Sequence, residues 1–300
     1  SAGVLPPAVG GAPRAGRGGR ISNAIVISER PSCRLDRALR VFLGLSIFLL
    51  PWQTIFISRE VMLRSAKWEY GTLGWYATEI LLWCAVILFV VWFWQRSRMV
   101  MSRAFRLTPD RIFVAACLAW LLYVLASTLW SVDAALALQA ATRLLAAALF
   151  FFMIVLGPLS VRRMAALFIA SALGQAVFGI YQFLSQSVAT SPLLGLAAHP
   201  AWQGGAAVIE AGGERWLRAY GAFSHPNVFG GFLVAGIIVT ALLWPSTASR
   251  RVRLSALAIE SAALFFTFSR SAWLALLMSG VGLAIYAFTT RARPPLATLL

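Results

Sequence analysis

Apolar residues fall along this chain in long unbroken blocks, not in the alternating or heptad-spaced patterns of a soluble core. A helix rises 1.5 Å per residue, so crossing a hydrocarbon layer of about 30 Å takes about 20 mainly apolar residues. That ruler predicts eight spans, at 39–57, 72–94, 112–130, 137–158, 164–183, 227–244, 254–269 and 271–289. The last two share the apolar stretch 254–288, whose 35 residues would make a helix of about 52 Å, too long for one crossing. The chain must therefore reverse near Arg270, the only basic residue of that stretch. Residues 1–38, rich in Gly, Pro, Ala and Arg, predict a disordered basic tail on the cytoplasmic side. The expected fold is all-α: a polytopic membrane domain over 39–300, with about eight transmembrane helices and a long outer loop at about 184–225. The first residue is Ser, and another apolar run starts near residue 300, as expected of a piece of a longer protein.

Composition agrees with the block pattern. The chain is 60% hydrophobic and 12% charged, with a mean hydropathy of +0.79, whereas about 25% of residues are charged in a soluble domain. The net charge of +16 raises nucleic acid as a partner, but 25 of the 26 basic residues are Arg and most lie between apolar runs, so no nucleic acid is expected. With the N-terminus inside, the inner segments hold 19 basic residues and the outer segments seven, the asymmetry expected of a multi-pass membrane protein with eight crossings; if the membrane is a bacterial inner membrane, the outer side is the periplasm. Trp52, Trp75, Trp130, Trp202, Trp216 and Trp273 fall near the proposed outer boundary, where amphipathic rings settle. Cys33, Cys84 and Cys117 have no metal or disulfide spacing, and the two histidines, His199 and His225, are 26 positions apart; no metal or cofactor is expected.

Candidate chemistry gathers on the outer side. The segment Arg218–Phe232, R-A-Y-G-A-F-S-H-P-N-V-F-G-G-F, concentrates polar and turn-forming groups at a helix entrance. Ser224 or Asn227 is the expected cap, with Pro226 in the first turn, which leaves backbone N–H groups free for a phosphate; an ordinary cap with a packing face is the simpler alternative. Gly230 and Gly231 permit a close neighbour. Arg270, in F-T-F-S-R-S-A-W, either snorkels to lipid phosphate or faces an anionic ligand. Glu79 and Glu260, inside spans, need partners: Arg143 for Glu79 and, less readily, Arg270 for Glu260. Asp133 and Arg143 flank the fourth span as a candidate pair.

These residues resemble the O-antigen ligase and polymerase superfamily. The resemblance rests on R-A-Y-G-A-F-S-H-P-N at the helix entrance and T-F-S-R-S-A-W-L-A around Arg270, with weaker support from 129–145 and from G-I-Y-Q-F at 179–183. It implies an inverting, metal-independent glycosyltransferase of lipopolysaccharide biosynthesis that needs no cofactor. The implied donor is a lipid-linked oligosaccharide on undecaprenyl diphosphate, the acceptor a glycan or lipid A-core type hydroxyl, and membrane lipids the surroundings. Arg218 and Arg270 would be the catalytic, diphosphate-binding residues, with His225, Asn227 and Arg215 binding substrate; the family's basic His lies in a large outer loop that would follow residue 300. His225 is the only local substitute and reads better as a cap or ligand contact. The competing class is a transporter of the bicarbonate- or small-solute-permease kind, for which internal repeats and midplane helix breaks would be expected.

Overall fold

Leu39, Leu43 and Ile47 recur every four residues and form the buried edge of the first helix, α1 (Arg34–Phe48). The computed structural model describes residues 34–63, 66–67, 71–107, 111–188, 190–244 and 249–290. Among them seven further helices follow: α2 (Ala77–Leu107), α3 (Arg111–Ser127), α4 (Ala134–Leu156), α5 (Val161–Ser185), α6 (Pro226–Leu243), α7 (Arg250–Phe266) and α8 (Arg270–Thr290). Five of the eight, counting α2 over Ala77–Arg96 with α4, α5, α6 and α8, are long and apolar enough to cross a membrane. The chain is thus mostly helical, with the helices of a membrane-embedded protein.

Each expected span coincides with a helix, but several ends differ. The stretch 39–57 is not one helix: α1 stops at Phe48 ahead of Pro51, which has no N–H to give a helix ladder, and Ile55–Arg59 is a strand, β1. It pairs antiparallel with β4 (Leu73–Tyr76), so the second span begins at Ala77 and not at 72. Two smaller hairpins pair β2 (Met62–Leu63) with β3 (Ala66–Lys67) and β5 (Val208–Ala211) with β6 (Glu214–Leu217); these short two-stranded pieces sit between helices in a fold that is mostly helical, consistent with the expected all-α membrane protein. The expected outer loop 184–225 contains the last of these hairpins. Residues 34–38, expected in the disordered tail, open α1 instead; the rest of that tail, with Cys33, lies outside the described residues. What holds this helix start is Asp36, buried, which accepts hydrogen bonds from Trp92 Nε1 at 2.6 Å and from Arg96 at 2.9 Å.

Two other ion pairs fasten the strands to the helices. Arg143 meets Glu79 at 2.5 Å, as expected, and also donates to the Gly74 carbonyl at 2.9 Å while lying over the Tyr76 ring. Arg143 is therefore not the partner of Asp133. That carboxylate pairs with Arg59 at 2.6 Å and caps α4 by accepting from the Leu136 N–H, and these contacts, the Leu136 bond first, hold it below the usual carboxylate range. The hairpin brings Arg59 back across 74 residues, which spacing along the chain does not reveal.

Helix α5 joins the two halves of the core. Its first half packs Met164, Leu167 and Phe168 into a cluster with α1, α2 and α4; its second half puts Ala176, Ile180 and Phe183 into a cluster with Phe229, Leu233, Ala263 and Ala272 from α6, α7 and α8. Small residues set the spacing: a Cβ at Gly236 of α6 would stand 2.8 Å from the Ala172 Cβ of α5. Beside it Glu260 of α7 is fully buried and accepts from Thr240 Oγ1 at 3.1 Å. The expected pairing of Glu260 with Arg270 is absent: Glu260 lies well inside α7, more than a full turn before its C-terminus, while Arg270 begins the next helix beyond the turn.

Candidate functional site

Arg218 lies between β6 and α6, where the backbone leaves the sheet and no ladder satisfies it. Its own N–H donates to the Ala207 carbonyl at 3.1 Å, and the next N–H, of Ala219, to the Phe266 carbonyl at 3.0 Å. The half-buried side chain then runs along the C-terminus of α7. Its Nε donates to the Thr267 carbonyl at 2.6 Å and one terminal nitrogen to Asn227 Oδ1 at 2.7 Å. A cation is favoured here, because the last carbonyls of a helix carry the negative end of its dipole and lack intrahelical partners. Burial pulls the guanidinium down from its ordinary value, but an arginine stays charged in a protein.

Thr267 belongs to the turn that reverses the chain between α7 and α8, close to where the length of the apolar stretch requires it. Its hydroxyl donates to the Leu264 carbonyl at 2.6 Å and accepts from the Ser269 N–H at 3.3 Å. Phe268 takes the left-handed conformation with φ of 47°, the bend that lets Ser269 accept from the Ala272 N–H and start α8. Both Thr267 and Ser269 are buried. Aromatic rings pin the turn from beneath: Phe183 stacks on Phe266 at 4.3 Å, Phe268 lies 5.9 Å from Phe183, and Trp273 donates to the Leu264 carbonyl at 3.2 Å. Arg270, first residue of α8, is exposed and makes no hydrogen bond or ion pair among the described residues. The turn thus presents one guanidinium anchored by two bonds, Arg218, and one unengaged, Arg270, which follows Thr267 by three residues.

The remaining predicted residues divide. Asn227 belongs to the site, orienting Arg218. His225 is the cap of α6, in place of the expected Ser224 or Asn227: its Nδ1 accepts from the Asn227 N–H at 3.1 Å and its carbonyl from Val228 and Phe229. Pro226 sits in the first turn as expected. Arg215 does not reach the site; it donates to the Trp202 carbonyl at 3.2 Å and faces Glu210 at 3.7 Å. His199, the other histidine, stacks on Tyr220 at 4.5 Å. Gly230 does permit close neighbours, Ser269 of the turn and Ala272 of α8, whereas a Cβ at Gly231 would meet nothing within 4 Å. The Thr267 carbonyl and the α5 glutamines that hold the backbone around Arg218 escape sequence reasoning, although the G-I-Y-Q-F run contains Gln182. Beside Ala222 opens a mostly apolar cleft of about 600 Å³, lined among others by Phe48, Trp52, Ser171, Gln175 and Phe178.

The cap makes the site's entrance sensitive to pH. Nδ1 accepts only while the imidazole is neutral, and partial burial, with the Arg218 charge in second place, lowers the pKa of His225 below its ordinary value. A lowered folded value means that the cap's contribution is complete above the unfolded pKa of about 6.5 and is lost as pH falls through the folded one. On acidification the protection of the Asn227, Val228 and Phe229 amides, relative to the intrinsic exchange rate at each pH, is therefore expected to fall by about fivefold, matching a cap worth about 1 kcal/mol. In His225→Asp, which caps through a carboxylate, that acid step should disappear; its persistence would assign it to another group.

Among the described residues no group of three or more His, Cys, Asp and Glu is placed to hold a metal ion. No protein-family model, curated protein or solved structure matches this chain.

Proposed function

We propose that this chain is a membrane glycosyltransferase of the O-antigen ligase and polymerase type. It moves a glycan from an undecaprenyl-diphosphate carrier to a hydroxyl of an acceptor glycan or lipid A-core. The observation that carries this reading is the pair of guanidiniums at one reverse turn, Arg218 braced by Thr267 and Asn227 and Arg270 without a partner among the described residues. An exposed guanidinium at a helix start, unpaired within the described residues, is free to meet an anion such as a phosphate. In the transfer the acceptor oxygen bonds to the sugar's anomeric carbon, the bond to the carrier phosphate breaks with its electron pair leaving on the diphosphate, and the hydroxyl proton goes to a base. Charge develops on the departing diphosphate, where the anchored Arg218 guanidinium and the unengaged Arg270 guanidinium can stabilise it. The apolar cleft beside Ala222, on the chain segment that carries Arg218, offers room for the carrier's chain.

In this reading the N-terminus is cytoplasmic and all eight helices cross, including α1, α3 and α7 of 15, 17 and 17 residues. The excess of 19 basic residues over seven on the inner segments supports that orientation. Arg218 and Arg270 then face the periplasm of a bacterial inner membrane, where lipid-linked donors, and no nucleotide sugars, are at hand. The test is transfer from a labelled lipid-diphosphate donor in the full-length protein with Arg218 and Arg270 replaced singly by Ala. Each is expected to slow transfer at least ~100-fold, the usual effect of removing a group that meets transition-state charge. Wild-type rates in both variants would exclude the enzyme.

A further inference from the structure

Gln175 and Gln182 of α5 stand seven residues apart and so share one helix face, and Gln186 caps the C-terminus of α5 in the left-handed conformation, with φ of 51°. All three side-chain amides bond the backbone of the Arg218 segment, and Gln186 also donates to the Phe183 carbonyl of its own helix at 2.5 Å. Gln186 accepts from the Leu217 N–H at 2.6 Å and donates to the Leu217 carbonyl at 3.3 Å, as a neighbouring strand residue would. Gln182, buried, accepts from the Tyr220 N–H at 3.2 Å and donates to the Gly221 carbonyl at 2.9 Å. Gln175 accepts from the Ala222 N–H at 2.8 Å. These bonds lie on either side of Arg218 and leave its own N–H and that of Ala219 to Ala207 and Phe266. Beyond Leu217, the last residue of β6, the segment is not a strand, yet the N–H groups of Arg218, Ala219, Tyr220 and Ala222, like that of Leu217, all have partners.

Tertiary packing does not require amide side chains at these places. Leucine has nearly the volume of glutamine and costs far less to bury, since an amide sent into an apolar bundle must find partners for both its ends. What the amides do supply is a fixed backbone path for Leu217 and for Tyr220 and Gly221. A side chain's reach is set by where its Cα is held, and a guanidinium displaced by even about 1 Å loses much of its effect on a reacting group. We propose that Gln182 and Gln186 are positioning residues, which set the Arg218 guanidinium at the α7–α8 turn for a diphosphate ligand. This inference rests on the diphosphate reading of Arg218.

The experiment is a double-mutant cycle on the full chain in detergent, with farnesyl diphosphate as the probe and its dissociation constant as the readout. Gln182→Leu and Gln186→Leu are each expected to weaken binding about tenfold when Arg218 is present and less than about twofold in an Arg218→Ala background. A residue that acted only on general stability would weaken both backgrounds alike. Equal losses with and without Arg218, or no loss in either glutamine variant, overturn the positioning role while Arg218→Ala alone still weakens binding. If Arg218→Ala binds the probe as wild type does, the diphosphate reading itself fails and the positioning role with it. Melting in the same detergent identifies a variant that does not fold. Gln186, half-buried at the end of α5, is the safer of the two substitutions, and its cycle decides alone if Gln182→Leu is lost.

Discussion

Arg218→Lys is expected to slow glycan transfer by the full-length protein roughly 100-fold, almost as much as Arg218→Ala. Lysine keeps the positive charge, so the expected loss turns on geometry. The guanidinium donates from Nε to the Thr267 carbonyl and from a terminal nitrogen to Asn227, two directions fixed by one planar group, and still has N–H bonds left for an anion. An ammonium is a single point and cannot hold both partners and the anion with the same directions. Hydrogen bonds to charged groups contribute about 1.5–3 kcal/mol each, so loss of the anchoring pair alone accounts for a change of that size. It also leaves the Thr267 carbonyl, at the end of α7, without its partner. Rates from a labelled lipid-diphosphate donor check this, with Asn227→Ala as the milder companion, expected to lose about tenfold. A lysine variant with an essentially wild-type rate would show that charge alone suffices and that the anchoring is structural.

The parts of this site that are legible in the sequence are those where a polar residue is expensive. In a chain with 60% hydrophobic residues, Arg218, Asn227 and Arg270 stand out because each needs a reason to be near a membrane boundary. The reversal near Arg270 follows from length alone, and the Glu79–Arg143 pair from the cost of an unpaired carboxylate. What is not legible is mostly backbone. The Thr267 carbonyl has no signature, since any residue carries one; it becomes a ligand for Arg218 only because the turn exposes it. Glutamines inside an apolar helix give a faint signal, and their purpose appears only once the irregular segment beside them is known. The cap escapes because histidine is not among the favoured N-cap residues, and here Nδ1 does what an Asn or Ser oxygen usually does. The ends of α1 and β1 escape for a different reason: averaging apolar character over a whole span does not register one Pro at position 51.

Gly230→Val is expected to lower the melting temperature in detergent by about 6–12 °C, while its neighbour Gly231→Ala leaves it unchanged or slightly raised. The two glycines lie on different sides of α6. A Cβ at Gly230 would stand 2.9 Å from the Ala272 Cβ, 3.1 Å from the Ser269 Cβ and 3.3 Å from the Thr267 hydroxyl. None of these is the end of a long side chain that could swing aside, and Thr267 and Ser269 are fully buried in a turn whose hydrogen bonds fix their places. Valine adds two further methyl groups with one preferred χ1 in a helix, so the turn must move away from α6. Overpacking of this kind costs about 3 kcal/mol, and in a chain of this size each 1 kcal/mol shifts melting by about 2–4 °C. The displacement carries the Thr267 carbonyl away from Arg218 and takes Arg270 with it, so any folded Gly230→Val protein should also bind farnesyl diphosphate at least ~10-fold more weakly. At Gly231 a methyl group meets nothing, and alanine's better helix propensity adds up to about 1 kcal/mol. Gly230→Val melting with the wild type would mean that the turn is not seated against α6, and with it would go the bracing of Arg218 by Thr267.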